Sequence, residues 1–120
     1  VPTLLHNPRC SKSRAAKALL DERAVAYTER HYLDDSLSRE ELAELRRRLG
    51  RPAREWVRAG EAAFEEAGLG PTSDDAAVLA AMARHPILIE RPIFICGERA
   101  AVGRPVEQIA ALLDDGADRR

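Results

Sequence analysis

Strand-like sequence at both ends of the chain, separated by a long block of helical pattern, is the feature that most restricts the folds open to it. Thr3-Leu4-Leu5-His6 reads as a short strand, and Asn7-Pro8-Arg9 supplies turn chemistry because proline fixes one dihedral and drives its neighbour out of the helical region. Strong helix formers follow from Ser13 to about Glu22, with Ala15, Ala18, Leu19 and Glu22 at helical spacing. Ala24 to Tyr32 carries β-branched and aromatic residues in rough alternation and predicts a second strand.

Ser38 precedes Glu40 and Glu41, and Leu42, Leu45 and Leu49 mark an amphipathic helix stopped by Gly50 and Pro52. Shorter helices are expected around Glu55 to Val57 and Ala62 to Glu66, and a clearer one from Asp74 or Asp75 to Arg84. Character then changes, with Ile87-Leu88-Ile89, Pro92-Ile93-Phe94-Ile95 and Ala100-Ala101-Val102 as apolar runs. Gly97-Glu98-Arg99 makes the last two a β-hairpin. Pro105 to Leu113 predicts a closing helix, and Asp114 to Arg120 a polar tail expected to fray. Pro92 requires explanation, since proline cannot donate to a ladder and is confined to edges, strand starts or special turns.

At 120 residues, 45% of them hydrophobic, the chain can bury one core, so a single domain spanning 1-120 is expected, with a helical insertion at about 38-85. Nineteen basic side chains against twenty acidic ones leave no global field to draw it onto nucleic acid or an anionic membrane. The run Arg46-Arg47-Arg48 alternates with Glu40, Glu41 and Glu44 on one helix and reads as a solvated face. No apolar run approaches a membrane span, and the first strand is too short for a secretory signal, so a cytoplasmic protein is expected. The chain opens on Val1 without a methionine, which suggests processing or trimming there.

Cys10 and Cys96 lie in different contexts, and a structural disulfide is a poor expectation in a cytosolic chain. Cys10 falls at or just before a helix start, where unsatisfied N–H groups and the helix dipole favour an anion. A thiolate is such an anion, and Arg9, Lys12 or Arg14 beside it would lower the thiol pKa further. The Ser13 hydroxyl is placed to donate to the sulfur. A plain reading stays open, in which Cys10 is a small hydrophobe and Ser11 or Ser13 an ordinary helix cap. A metal site is not expected, because His6, His31, His85 and Cys96 lack paired ligand spacing. Ser13 stands where a Cys-x-x-Cys motif would place its resolving thiol, and Ala16 where the phosphatase Cys-x5-Arg loop needs its arginine.

His6-Asn7-Pro8-Arg9-Cys10-Ser11-Lys12-Ser13-Arg14 resembles the active-site segment of the glutaredoxin-coupled arsenate reductase family, whose pattern is His-Asn-Pro-x-Cys-x-x-Ser-Arg. His31-Tyr32-Leu33, Val57-Arg58 leading to Phe64-Glu65-Glu66-Ala67-Gly68-Leu69, His85 to Ile93, and Gly103-Arg104-Pro105 resemble its other blocks in order. The resemblance implies an α/β thioredoxin-like fold: a small mixed sheet flanked by helices, with a helical insertion between an N-terminal β-α-β unit and a C-terminal β-hairpin plus helix. It implies Cys10 as nucleophile, Arg58, Arg91 and Arg104 as oxyanion-holding arginines, and His6, Asn7, Ser13, Arg14 and Pro92 as supporting residues. Guanidinium forks suit a tetrahedral polyanion because they present several fixed donors and stay charged.

The implied activity is attack of the Cys10 thiolate on arsenate or a similar oxyanion, with no bound cofactor. Glutathione serves as co-substrate, glutaredoxin as protein partner, and a monomer is expected. A regulator of the same fold that senses redox state and binds RNA polymerase without catalysis is the alternative, and Ser13 in place of a second cysteine argues against it. The basic Arg9-Cys10-Ser11-Lys12 run leaves another oxyanion or a glutathionylated protein open as substrate. The resemblance also implies that Arg91-Pro92 is a cis bond facing the nucleophile. Cys96 is expected to pack within its strand.

Overall fold

A computed structural model describes residues 2–114. Four strands and five α-helices occur among them: β1 (Thr3–Leu5), α1 (Ser11–Glu22), β2 (Thr28–Arg30), α2 (Arg39–Leu49), α3 (Ala62–Glu66), α4 (Asp75–Arg84), β3 (Ile93–Cys96), β4 (Arg99–Val102) and α5 (Glu107–Asp114). Short 3-10 turns lie at Ala53–Glu55 and Pro86–Leu88. The polar tail expected after the last helix falls, from 115 on, outside the described residues.

The strands form one mixed sheet in the order β2-β1-β3-β4, with β1 parallel to β2 and antiparallel to β3. Leu4 pairs with Phe94 and Leu5 with Ile93 across β1 and β3, and all four are essentially inaccessible. Side chains alternate along a strand, so Leu4 and Phe94 share a face. Ala16 and Leu20 of α1 and Ile109, Leu112 and Leu113 of α5 cluster with them. Cys96, 7% exposed, belongs to the same cluster, the packing role expected of it. This is the α/β, thioredoxin-like arrangement of a small sheet flanked by helices.

The chain divides into two compact units, one built from the segments up to Asp35 and from Arg91 onward, the other from Ser36–Glu90. Within the second unit, Ser38 and Glu41 make the reciprocal capping box of α2, at 3.1 and 2.9 Å, and Gly50 ends that helix at φ +67°. Asp74 caps α4 through the Ala77 N–H at 2.9 Å. Among the described residues, no helix is long and apolar enough to cross a membrane.

Several local expectations are corrected. The second strand, expected over Ala24 to Tyr32, spans only Thr28–Arg30. Ala24 takes the left-handed conformation at φ +56°, and Val25 N–H returns to the Leu20 carbonyl at 3.0 Å. Both residues therefore serve the end of α1, satisfying carbonyls that the helix leaves open. Residues after Arg30 turn as well, with Asp34 and Asp35 N–H groups on the His31 carbonyl.

The Ile87-Leu88-Ile89 run forms a 3-10 turn and one isolated bridge, Val57 to Ile89, because Pro86 opens it with helical φ. The helix expected around Glu55 to Val57 is the 3-10 turn Ala53–Glu55, which releases Val57 to that bridge. The first helix starts at Ser11 rather than Ser13, and the last at Glu107 rather than Pro105. Pro105 instead heads the approach, accepting the Gln108 N–H at 3.0 Å.

Gly103 closes the corner after β4. Its N–H donates to the Pro92 carbonyl at 2.8 Å. A Cβ there would lie 2.8 Å from both Pro92 Cγ and Ile109 Cδ1, so the corner has no room for one. Gly103→Ala is expected to destabilise the protein by about 1–3 kcal/mol, the usual range for overpacking. Urea unfolding followed by far-UV circular dichroism measures it, and an unchanged midpoint would contradict the steric account.

Candidate active site

The segment between β1 and α1 is tied down mostly through its own backbone. Cys10 occupies the N-cap of α1 in extended conformation, φ −99° and ψ 125°. Its N–H donates to the Asn7 carbonyl at 3.0 Å, and its carbonyl accepts the Arg14 N–H at 3.0 Å. The Asn7 side chain accepts the Arg9 N–H at 3.0 Å, an Asx turn of the kind this residue type favours. Asn7 N–H donates to the Ser13 hydroxyl at 3.3 Å, and Arg14 reaches back to the Pro8 carbonyl at 2.9 Å. Asn7, Ser13 and Arg14 thus staple the loop onto the first turn of the helix.

Cys10 is a free thiol, 9% exposed. Its Sγ forms no side-chain cap of hydrogen-bonding geometry. The N–H groups of the first turn nevertheless act on it electrostatically. Burial pushes the thiol up, but the backbone N–H groups of Ser13 and Lys12, together with the Arg91 guanidinium, outweigh it and hold the thiol below its ordinary range. The Ser13 hydroxyl is fully buried and receives the Asn7 N–H, and it is the Ser13 backbone N–H that acts on the sulfur. Arg91 is the cation with a direct effect on the sulfur, a role expected first of Arg9, Lys12 or Arg14.

Arg91 enters from the residue before β3, where the Arg91–Pro92 peptide is cis, as expected, and Arg104–Pro105 is cis too. Arg104 is exposed, and its Nε donates to the Arg91 carbonyl at 2.8 Å. The first unit therefore brings together Cys10, Arg91, Arg104, His6, Asn7, Ser13, Arg14 and Pro92 from the residues singled out in the sequence. Arg58 lies in the second unit. There its guanidinium pairs with Glu61 Oε2 at 2.7 Å and reaches the Ile87 carbonyl at 3.4 Å, while its N–H donates to the Leu88 carbonyl at 2.7 Å.

His6 is 3% exposed, and burial foremost holds its imidazole below the ordinary histidine range. Beyond it lies a set of side chains that motif reasoning did not single out. Glu29 on β2 accepts Lys17 of α1 on one oxygen and lies 3.1 Å from His31 Nε2 with the other. Lys17 holds the carboxyl of Glu29 below its usual range, with His31 helping. His31 follows β2 directly, and its two-residue spacing from Glu29 was the available signal. Among the described residues, no group of three His, Cys, Asp or Glu side chains could hold a metal ion.

Comparison with known proteins identifies the family. The profile of the ArsC family matches residues 5–112. An arsenate reductase from Neisseria meningitidis serogroup A is 46% identical over 112 residues, which is 92% of this chain and 96% of that protein. An arsenate reductase from Rhizobium meliloti is 35% identical, over 94% of this chain and 81% of its own length. Among solved structures, an arsenate reductase from Vibrio cholerae superposes with a TM-score of 0.86 at 43% identity, covering 92% of this chain and 95% of the other. A profile matched over nearly the full length, and relatives alike in sequence and in backbone, place this chain in the ArsC family.

Proposed function

We propose that this protein is an arsenate reductase in which Cys10 is the nucleophile and glutathione with glutaredoxin supplies the electrons. The observation that carries the reading is the Cys10 thiol, depressed below its ordinary range at the mouth of α1 by backbone N–H groups and by Arg91. Such a thiol is ionised where a free cysteine is not, and it faces the helix end that favours oxyanions. The arsenate reductases among its relatives support the substrate.

In this mechanism the thiolate forms a bond to arsenic(V) while one arsenate oxygen, protonated from solvent, leaves as water. Arg91 and Arg104 hold the remaining oxygens and neutralise their charge, and His6, Asn7, Ser13, Arg14 and Pro92 keep the nucleophile loop in place. A glutathione thiolate then attacks the Cys10 sulfur, the S–As bond breaks with its electron pair going to arsenic, which leaves as arsenic(III), and the resulting Cys10–glutathione disulfide is returned to the free thiol by exchange with a glutaredoxin thiol. No second thiol lies beside Cys10 for this purpose, since Ser13 occupies that position and Cys96 packs in the strand core. No cofactor is bound in this scheme, and the protein acts as a monomer in the cytoplasm.

Cys10→Ser is expected to lower arsenate turnover with glutathione and glutaredoxin by about a thousandfold or more. Unchanged turnover in that variant would end the reading. Alkylation of Cys10 by iodoacetamide should rise with pH through a midpoint below that of a free cysteine, because only the thiolate reacts and its ionisation is favoured. Arg91→Met removes a cation that favours the thiolate, so its midpoint should move to higher pH. A midpoint that stays put in Arg91→Met would remove Arg91 from the account.

A further inference from the structure

Two cations beside Cys10 have no counterpart among the described residues. Arg9 immediately precedes Cys10, Lys12 stands in the first turn of α1, and both are exposed. Neither side chain makes a hydrogen bond or an ion pair with another described residue. Other cations of the first unit are committed: Lys17, Arg23 and Arg30 pair with carboxylates, and Arg14 and Arg104 donate to carbonyl oxygens. No acidic residue occurs in the sequence before Asp21, and the first turn of α1 has none. A cation at that end opposes the helix dipole, so Lys12 weakens the very helix that presents Cys10. An anion that comes to Cys10 from outside explains the arrangement.

Arsenate is compact, and the first-turn N–H groups and Arg91 already act at the sulfur where it would sit. Two exposed cations outside that inner set, on long flexible stems, suit a longer guest with carboxylates spaced along it. Glutathione has this form, its thiol lying between a glycine carboxylate at one end and a γ-glutamyl carboxylate at the other. We propose that Arg9 and Lys12 are specificity-determining residues for the thiol that releases arsenic, engaging the carboxylates of glutathione as its sulfur comes onto Cys10; this rests on the reading of Cys10 as nucleophile. The two cations take no part in the bond changes, in which the glutathione sulfur bonds to the Cys10 sulfur and the S–As electron pair goes to arsenic. They hold the tripeptide and offset the repulsion between its negative charge and that of the arsenic adduct. Exposed contacts of this kind are each worth a few-fold and are screened by salt.

The test uses the full chain with two reagents, glutathione disulfide and the neutral bis(2-hydroxyethyl) disulfide. The Cys10 thiolate attacks one sulfur of either reagent, forming a mixed disulfide and releasing the other half as a thiolate, and mass spectrometry of the Cys10 peptide follows the rate. Both reagents meet the same thiolate, so the ratio of the two rates is independent of its ionisation. Arg9→Ala with Lys12→Ala should lower the preference for glutathione disulfide by about three- to tenfold. In arsenate turnover the same variant should raise KM for glutathione and leave KM for arsenate in place. Arg9→Lys with Lys12→Arg, which keeps both charges, should keep the preference, and added salt should narrow it in the parent protein. An unchanged ratio in the alanine variant, whether both rates hold or both fall, would overturn the proposal. So would a KM that rises for arsenate, or for glutaredoxin, in place of glutathione. The exchange needs no arsenate, so Cys10→Ser with full arsenate turnover would overturn the reading of the nucleophile, while a lowered ratio would still stand as recognition of glutathione beside Cys10.

Discussion

The bond from Cys10 N–H to the Asn7 carbonyl is the constraint on which the site depends. It turns the chain sharply enough that Cys10 becomes the N-cap of α1 rather than a residue of its approach. Asn7 contributes three times, through its carbonyl, its side chain and its N–H, and Ser13 receives the last of these while wholly buried. With the loop fixed this way, the first-turn N–H groups fall where they stabilise negative charge on sulfur. Burial alone would have made the thiol inert, and the local dipoles and Arg91 reverse that outcome.

The arginines singled out in the sequence are not equivalent. Arg91 acts on the sulfur by its charge, and its carbonyl is held by Arg104 Nε. Arg104 therefore fixes the backbone that delivers Arg91 as well as carrying a charge of its own. Arg58 is held within its own unit by Glu61 and by the backbone around the Val57 to Ile89 bridge.

Much of this was legible in the sequence, for reasons that differ from element to element. The capping box of Ser38 and Glu41, the Gly50 stop and the β3 to β4 hairpin follow from local rules, and local rules settled them. Cys10 stood out from the helix start and basic residues beside it, and Pro92 from its place in a strand-like run, whereas Arg91 and Arg104 were identified by family resemblance, since no local pattern ties residue 91 to residue 10. The extent of β2 was misjudged because Ala24 lacks the signature of a left-handed residue, a position glycine usually fills. Ile87-Leu88-Ile89 read as a strand because apolar runs do not report their own curvature, and Pro86 decided it. Glu29 and Lys17 went unnoticed because their partnership joins a strand to a helix, and spacing along the chain says nothing of such a pair.

The central pairing of the sheet, Thr3 with Ile95 through Leu5 with Ile93, joins segments from opposite ends of the chain. During synthesis β1 and α1 leave the ribosome with Leu4, Leu5, Ala16 and Leu20 uncovered, and they stay so until Phe94 and Ile109 have been translated. Ser36–Glu90 can condense in the meantime, because its contacts lie within one continuous stretch. The nascent protein thus carries a sticky, half-made sheet edge through most of its elongation, and the setting of Cys10 is among the last parts of the molecule to be completed.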